Sequence, residues 1–346
     1  MNTQVITLNE KRNVTLTAYL QPTGGEYSNI SARPAVLILP GGGYQMCSDR
    51  EGDPVAMQYL KAGYQAFILR YSLGQNAVWP NPLQDYEQAM SLIRQHAEEW
   101  NVYPDKIAVI GFSAGGHLAS AAATMSENRP DAAILGYPVI NEENAHIWEK
   151  TAPDTAKAVD KKTCPCFVFA TRTDSTVPVV NSIQFITALA ENNISFESHI
   201  YAYGPHGFST ADSSVLTPRT VLCSRVPHWV EDSIAWLKDM FGDFSAEGLT
   251  DPACGKWANG NSADTLSVDC TMGHLLKNPT SAEIVGAMLH KAGENKDNAG
   301  MAENLSKEQM QMMMQNMTLR EMLSYGNVSN EIIDGINNTL KAIPNK

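Results

Sequence analysis

The chain has 346 residues, 43% of them hydrophobic, and its 37 acidic against 25 basic side chains give a formal net charge of −12. That length holds one large domain and a small one with a full core, and no apolar run reaches the roughly 20 residues of a membrane span. The acidic balance argues against nucleic acid or an anionic membrane surface as partner. The stretch from Met1 to Glu10 has no basic region followed by an apolar one, so a cytoplasmic location is expected unless a leader has been removed.

Val14 to Leu20 alternates and reads as an antiparallel edge strand. Ala35 to Leu39 is wholly apolar, as a strand buried on both faces would be, and it runs into the glycine loop Pro40 to Tyr44. Asp53 to Lys61 reads as a helix stopped by Gly63, Gln65 to Tyr71 as the next strand, and Leu83 to Trp100 as a helix. A strand beginning at Ile107 then breaks at Gly111, and a strong helix former follows from Leu118. Ala132 to Tyr137 is another buried strand, whereas Asn141 to Thr163 is polar and irregular and reads as a small lid or rim carrying Trp148. Phe167 to Ala170 and Phe196 to Tyr201 read as strands, Ser182 to Glu191 as a helix, and Pro227 to Phe241 as a closing helix. Strand and helix alternate throughout, which predicts an α/β fold with a mostly parallel central sheet and helices on both faces.

The pattern changes near Gly248, giving an expected catalytic domain over 1–247 and a small all-helical segment over 248–346. In the latter, Thr271 to Leu276 and Thr318 to Leu323 look like one motif used twice, a threonine N-cap opening a helix with paired apolar residues. Gln309 to Met317 is rich in methionine, which reads as flexible core filler or as an adaptable binding face. The six cysteines are Cys47, Cys164, Cys166, Cys223, Cys254 and Cys270. A long chain without a visible leader favours free thiols, and Cys164 and Cys166 lack the two-residue spacer of a redox or zinc pair. Cys254 and Cys270 flank a polar loop and could pair only in an exported protein.

The chemistry centres on Gly111-Phe112-Ser113-Ala114-Gly115, a Gly-x-Ser-x-Gly run between a strand and a helix. A strand turning sharply into a helix holds its turn residue in a strained conformation that only small neighbours permit, and the serine hydroxyl is thrust outward. Such a nucleophile needs a base, a carboxylate to orient that base, and donors for a developing oxyanion. His206, in a tight loop just past the strand 196–201, is the best-placed base. Among the alternatives, His96 lies in a helix, His146 in the polar insertion, His199 in a strand and His228 at the opening of the last helix. His117, one turn past the serine, is expected to pack against the sheet. Asp174 follows the strand 167–170 and is the expected acid, with Asp160 and Asp212 as rivals. The oxyanion donors are expected to be the amides of Gly42, Gly43 and Ala114, with Tyr44 and Trp148 lining a substrate pocket. The glycine loop lacks the spacing and the terminal lysine of a phosphate cradle. No cluster with metal-ligand spacing is present, so neither metal nor cofactor is expected.

On these motifs the chain resembles the α/β-hydrolase superfamily over roughly residues 14 to 242. Pro40 to Tyr44 is similar to the His-Gly-Gly-Gly loop of esterases and lipases, with proline in place of histidine. Ser48 to Ala56, Arg70 to Leu73, Pro82 to Tyr86, Gly111 to Leu118 and His206 to Phe208 resemble the acetyl xylan esterase-like branch. The resemblance implies a serine esterase removing acetyl, or less often feruloyl, groups from hemicellulose sugars. An acetylated oligosaccharide is then the expected partner, and a homo-oligomer is possible. More faintly, the helical segment resembles tails that follow catalytic domains in bacterial polysaccharide-degrading enzymes. Two other readings are a serine peptidase of the prolyl-oligopeptidase type, which usually carries a large N-terminal propeller, and a catalytically silent hydrolase fold used for binding.

Overall fold

The computed structural model describes residues 1–217, 219–253, 261, 265–293, 315–326 and 328–345. Its frame is an eight-stranded sheet in the order β1-β2-β4-β3-β5-β6-β7-β8. The strands are β1 (Asn2–Asn9), β2 (Val14–Leu20), β3 (Arg33–Leu39), β4 (Gln65–Arg70), β5 (Val102–Phe112), β6 (Ala132–Gly136), β7 (Cys166–Thr171) and β8 (Phe196–Tyr201). β1 pairs antiparallel with β2, and β2 with β4; every later pairing is parallel. The sheet is therefore mostly parallel, with an antiparallel hairpin added at one edge. β1 was not anticipated: none of its residues is fully buried, and the exposed Val5 beside Ile6 hides in the sequence the alternation that the burial shows. The pairing with β2 makes it a strand.

The central strands are buried on both faces, so their apolar residues divide by parity. Ala35, Leu37 and Leu39 of β3, with Ile107 and Val109 of β5, face one core. There they meet α2 (Asn81–Gln95), α3 (Ala114–Met125) and α5 (Val180–Glu191) through Tyr86, Met90, Leu118 and Phe185. Val36, Ile38, Ala108 and Ile110 face the other. That side is covered by α1 (Asp53–Lys61) and α6 (Trp229–Phe241) through Tyr59, Trp229 and Trp236. The segment expected to be irregular contains α4 (Glu142–Trp148), capped by Asn141, whose side chain accepts from the Asn144 amide. A small cluster of Val139, Ala145, Ala152 and Val177 anchors it. Among the described residues no helix is long and apolar enough to cross a membrane.

The chain divides into two compact units, Met1–Pro252 and Ala253–Lys346. A short hairpin of β9 (Phe244–Ser245) and β10 (Gly248–Leu249) closes the first. In the second, α7 (Met272–Leu275), α8 (Pro279–Gly293), α9 (Leu319–Tyr325) and α10 (Asn330–Lys341) are described. Thr271 and Thr318 each cap a helix with the side-chain oxygen, and Thr318 forms a full capping box with Glu321. The two caps also pair with each other as an isolated antiparallel bridge. Leu266, Val268, Leu275, Val285, Leu319, Ile333 and Leu340 form a separate core for this unit. Cys47, Cys164, Cys166, Cys223 and Cys270 are buried free thiols. Cys254 and most of the methionine-rich stretch lie outside the described residues.

Candidate active site

Ser113 stands between the end of β5 and the start of α3 with φ +53° and ψ −117°. A non-glycine residue there stores on the order of 1–3 kcal/mol of strain, which its surroundings must hold. The flanking glycines show how. A Cβ at Gly111 would lie 2.1 Å from the Gly115 carbonyl oxygen, and one at Gly115 would lie 2.0 Å from that of Leu39. The turn is thus packed backbone against backbone on the root of the glycine loop. The Ser113 amide donates to the Gly136 carbonyl at 3.0 Å, and the Val139 and His117 amides donate to the Ser113 carbonyl at 3.1 and 3.0 Å.

His206 and Asp174 reach this turn from loops at the carboxyl ends of β8 and β7. His206 Nε2 lies 2.8 Å from Ser113 Oγ, and His206 Nδ1 lies 2.6 Å from Asp174 Oδ2. The other carboxylate oxygen, Oδ1, accepts from the Thr176 and Val177 amides, both at 2.9 Å. The Asp174 side chain is inaccessible, while the imidazole is 17% exposed. With Nδ1–H donated to the carboxylate, Nε2 is left with a lone pair facing the serine hydroxyl. The two loops are stitched together by Thr171 Oγ1 and Thr173 Oγ1, which donate to the Gly204 carbonyl at 2.9 and 3.1 Å. The rival acids are engaged elsewhere: Asp160 pairs with Arg129, and Asp212 accepts from Ser214.

In the glycine loop the carbonyls of Pro40, Gly41, Gly42 and Tyr44 are taken. The Pro40 carbonyl accepts from Tyr71 Oη at 2.6 Å, that of Gly41 from the Ser48 amide at 2.8 Å, and that of Gly42 from the Gln45 amide at 3.0 Å. Two donors are left over: neither the Gly42 nor the Gly43 amide donates to any acceptor among the described residues. Ala114, as the first residue of α3, also has an amide with no partner in its own helix. Three uncommitted N–H groups thus belong to the backbone around Ser113, the kind of donor set that suits a developing negative oxygen.

The two residues expected to line a pocket part company. The Tyr44 ring is 1% exposed, so it is a core residue and not a pocket wall. Its hydroxyl donates to His117 Nδ1 at 2.7 Å, and His117 Nε2–H donates to the Pro153 carbonyl at 2.8 Å. Burial pushes the His117 pKa down to about 4 and keeps the ring neutral, a structural histidine held by Tyr44, Trp79 and Pro153 and, among the described residues, not by any strand contact. Trp148, 37% exposed on α4, does lie at the loop: a Cβ on Gly43 would be 2.7 Å from its ring.

One residue next to the site had no role in the sequence reading. Glu51 is 3% exposed; its Oε2 accepts from the Gly41 amide at 2.8 Å and its Oε1 from Tyr137 Oη at 2.6 Å. Burial raises its pKa, opposed by those two donors and by the nearby His206 and Arg50. Its only sequence signal is a place in the run Ser48 to Ala56.

The parallel sheet, the strained strand-to-helix turn and the linked Ser, His and Asp side chains define the class as an α/β hydrolase, an enzyme fold. Known proteins narrow it. The family described as BD-FAE matches residues 26–135. Endo-1,4-beta-xylanase B of Butyrivibrio fibrisolvens is 34% identical over 210 residues, 52% of this chain and 33% of that protein. An acetylxylan esterase of Xylanibacter ruminicola is 34% identical over 198 residues, 50% of this chain and 41% of that one. The chain thus spans less than half the length of these two curated relatives. An α/β hydrolase enzyme from a Medee basin deep-sea metagenome library is 44% identical with a TM-score of 0.65, over 69% of this chain and 98% of that one. An acetyl ester-xyloside bifunctional hydrolase from Caldicellulosiruptor lactoaceticus is 30% identical with a TM-score of 0.60, over 68% and 96%. Within the α/β hydrolases, this chain belongs to the acetyl xylan esterase-like family.

Proposed function

We propose that this protein is a serine carboxylesterase that removes acetyl groups from hemicellulose-derived xylo- or manno-oligosaccharides through an acyl-enzyme. The observation that carries the chemistry is the unbroken line from Ser113 through His206 to Asp174, beside three uncommitted backbone amides. The carbohydrate assignment is supported by the xylan-related names of several relatives.

In this reading Ser113 Oγ attacks the acetyl carbonyl carbon while His206 Nε2 takes its proton. Asp174, held by two amides, keeps the imidazole in the required tautomer and faces the imidazolium that forms. The carbonyl oxygen becomes an oxyanion bound by the amides of Gly42, Gly43 and Ala114, each worth about 10²–10³ in kcat. His206 then gives the proton to the sugar oxygen as the C–O bond breaks, leaving acetyl on Ser113. A water, deprotonated by the same nitrogen, repeats the sequence and releases acetate. Trp148, packed on Gly43, walls the site beside the oxyanion loop.

The test is acetate release from acetylated xylo- and manno-oligosaccharides by wild type and by Ser113→Ala. Release that falls by about 10⁴–10⁶ in the variant, with folding intact, is the expected result. Equal release by both proteins would refute the nucleophile. Faster release of a chromophore from a dipeptide substrate than of acetate would replace the esterase reading with a peptidase.

A further inference from the structure

We propose that Glu51 is a positioning residue for this reaction, bracing the oxyanion loop against the wall of the His206 pocket. The inference rests on the serine-esterase reading above. Its first observation is what the carboxylate holds. Oε2 takes the Gly41 amide at 2.8 Å, which fixes the peptide plane that leads into the two uncommitted amides of Gly42 and Gly43. Gly41 is also the loop residue in contact with the nucleophile: a Cβ there would lie 3.0 Å from Ser113 Cβ and 2.8 Å from Glu51 Oε2.

The second observation is where the other oxygen leads. Oε1 accepts from Tyr137 Oη at 2.6 Å, and the same Tyr137 oxygen accepts from the Ser209 amide at 3.0 Å. The Tyr137 ring stands edge-on to His206, with centroids 5.0 Å apart at 70°. Ser209 Oγ returns to donate to the Arg50 carbonyl, next to Glu51 in the chain. The Ser209 carbonyl is itself taken by Trp229 Nε1 at 2.9 Å. The bonds close a ring through Arg50, Glu51, Tyr137 and Ser209, to which the Gly41 amide ties the oxyanion loop. No bond of that ring is made by Ser113, His206 or Asp174.

Both carboxylate oxygens act as acceptors, and burial pushes the pKa of the group up against the pull of those two donors. One dry side chain that holds the Gly41 amide and Tyr137 Oη at once suits a brace that must keep amides in place against an oxyanion. Displacements of about 1 Å in such a site cost about 10² in rate.

The experiment measures steady-state hydrolysis of an aryl acetate by Glu51→Gln, Tyr137→Phe and the double variant, alongside thermal unfolding of each. Glu51→Gln should lose roughly 10- to 100-fold in kcat with KM unchanged within about twofold. Tyr137→Phe, which removes a single oxygen, should shift kcat the same way. In the double variant the losses should not multiply, because both changes break one relay. Retention of wild-type kcat by folded Glu51→Gln would overturn the proposal, as would losses that multiply or that appear in KM alone. If Glu51→Gln fails to fold, Tyr137→Phe with wild-type kcat overturns it equally. Failure of the wild type to cleave any ester would instead refute the serine-esterase reading itself.

Discussion

Replacing Asp174 by Asn tests the chemistry with the least disturbance of shape. The side chain is the same size, and Oδ1 can go on accepting from the Thr176 and Val177 amides at 2.9 Å. That arrangement points the new NH₂ at His206 Nδ1, where the carboxylate oxygen had been 2.6 Å away. Two donors cannot face each other, so the imidazole moves its proton to Nε2. Nε2 then donates to Ser113 Oγ, 2.8 Å away, instead of accepting from it. The base is lost while the geometry survives. The analogous change in the serine protease triad costs about 10⁴ in kcat, equivalent to about 5 kcal/mol of transition-state stabilisation. The assay is kcat for an aryl acetate at neutral pH, with the melting temperature measured in parallel. A loss below about tenfold in a protein of unchanged stability would refute the assignment of Asp174 as the group that sets the tautomer.

Other consequences are as specific. Gly43→Ala should lower kcat by about 10²-fold, because its Cβ would meet the Trp148 ring at 2.7 Å and Gly43 has φ +61°. Trimming Trp148 to Leu in the same protein should restore part of that loss, and no recovery would show that the strain is in the backbone alone. His117 predicts a pH effect on stability. Its folded pKa of about 4 lies below the ordinary histidine value of 6.5, so the unfolded chain binds more protons between these limits. Stability is therefore fully present above about pH 6.5 and falls by roughly 3 kcal/mol as pH drops toward 4. His117→Gln should flatten that part of the profile in denaturant titrations, and an unchanged slope would assign the effect to other groups.

Much of the fold can be read from short stretches because its causes are local. Ala35 to Leu39 and Ala132 to Gly136 declare strands buried on both faces by having no polar side at all. Gly111 and Gly115 mark the sharp turn because any larger residue would strike backbone at about 2 Å. Threonine N-caps at 271 and 318 announce their helices by a bond that spans three residues. Ser113, Asp174 and His206 are each recognisable from their immediate neighbours.

What local sequence leaves undecided is whatever depends on segments far apart in the chain. His206 is 93 residues from Ser113, and only the parallel order of β5 to β8 brings their loops within 2.8 Å. β1 has little apolar pattern of its own and exists by pairing with β2. Tyr44 carries the same sequence signal as an open pocket aromatic, yet Tyr71 and His117 enclose it. Glu51 looks like any charge in a polar run until the sheet folds Gly41, Tyr137 and Arg50 around it. Sequence alone determined which residues are candidates for the chemistry and which conformations their neighbours allow, because sterics and capping act over a few residues. Tertiary structure decided which of them meet, which are dry and which amides are left without acceptors, because burial and hydrogen-bond satisfaction are properties of the packed chain.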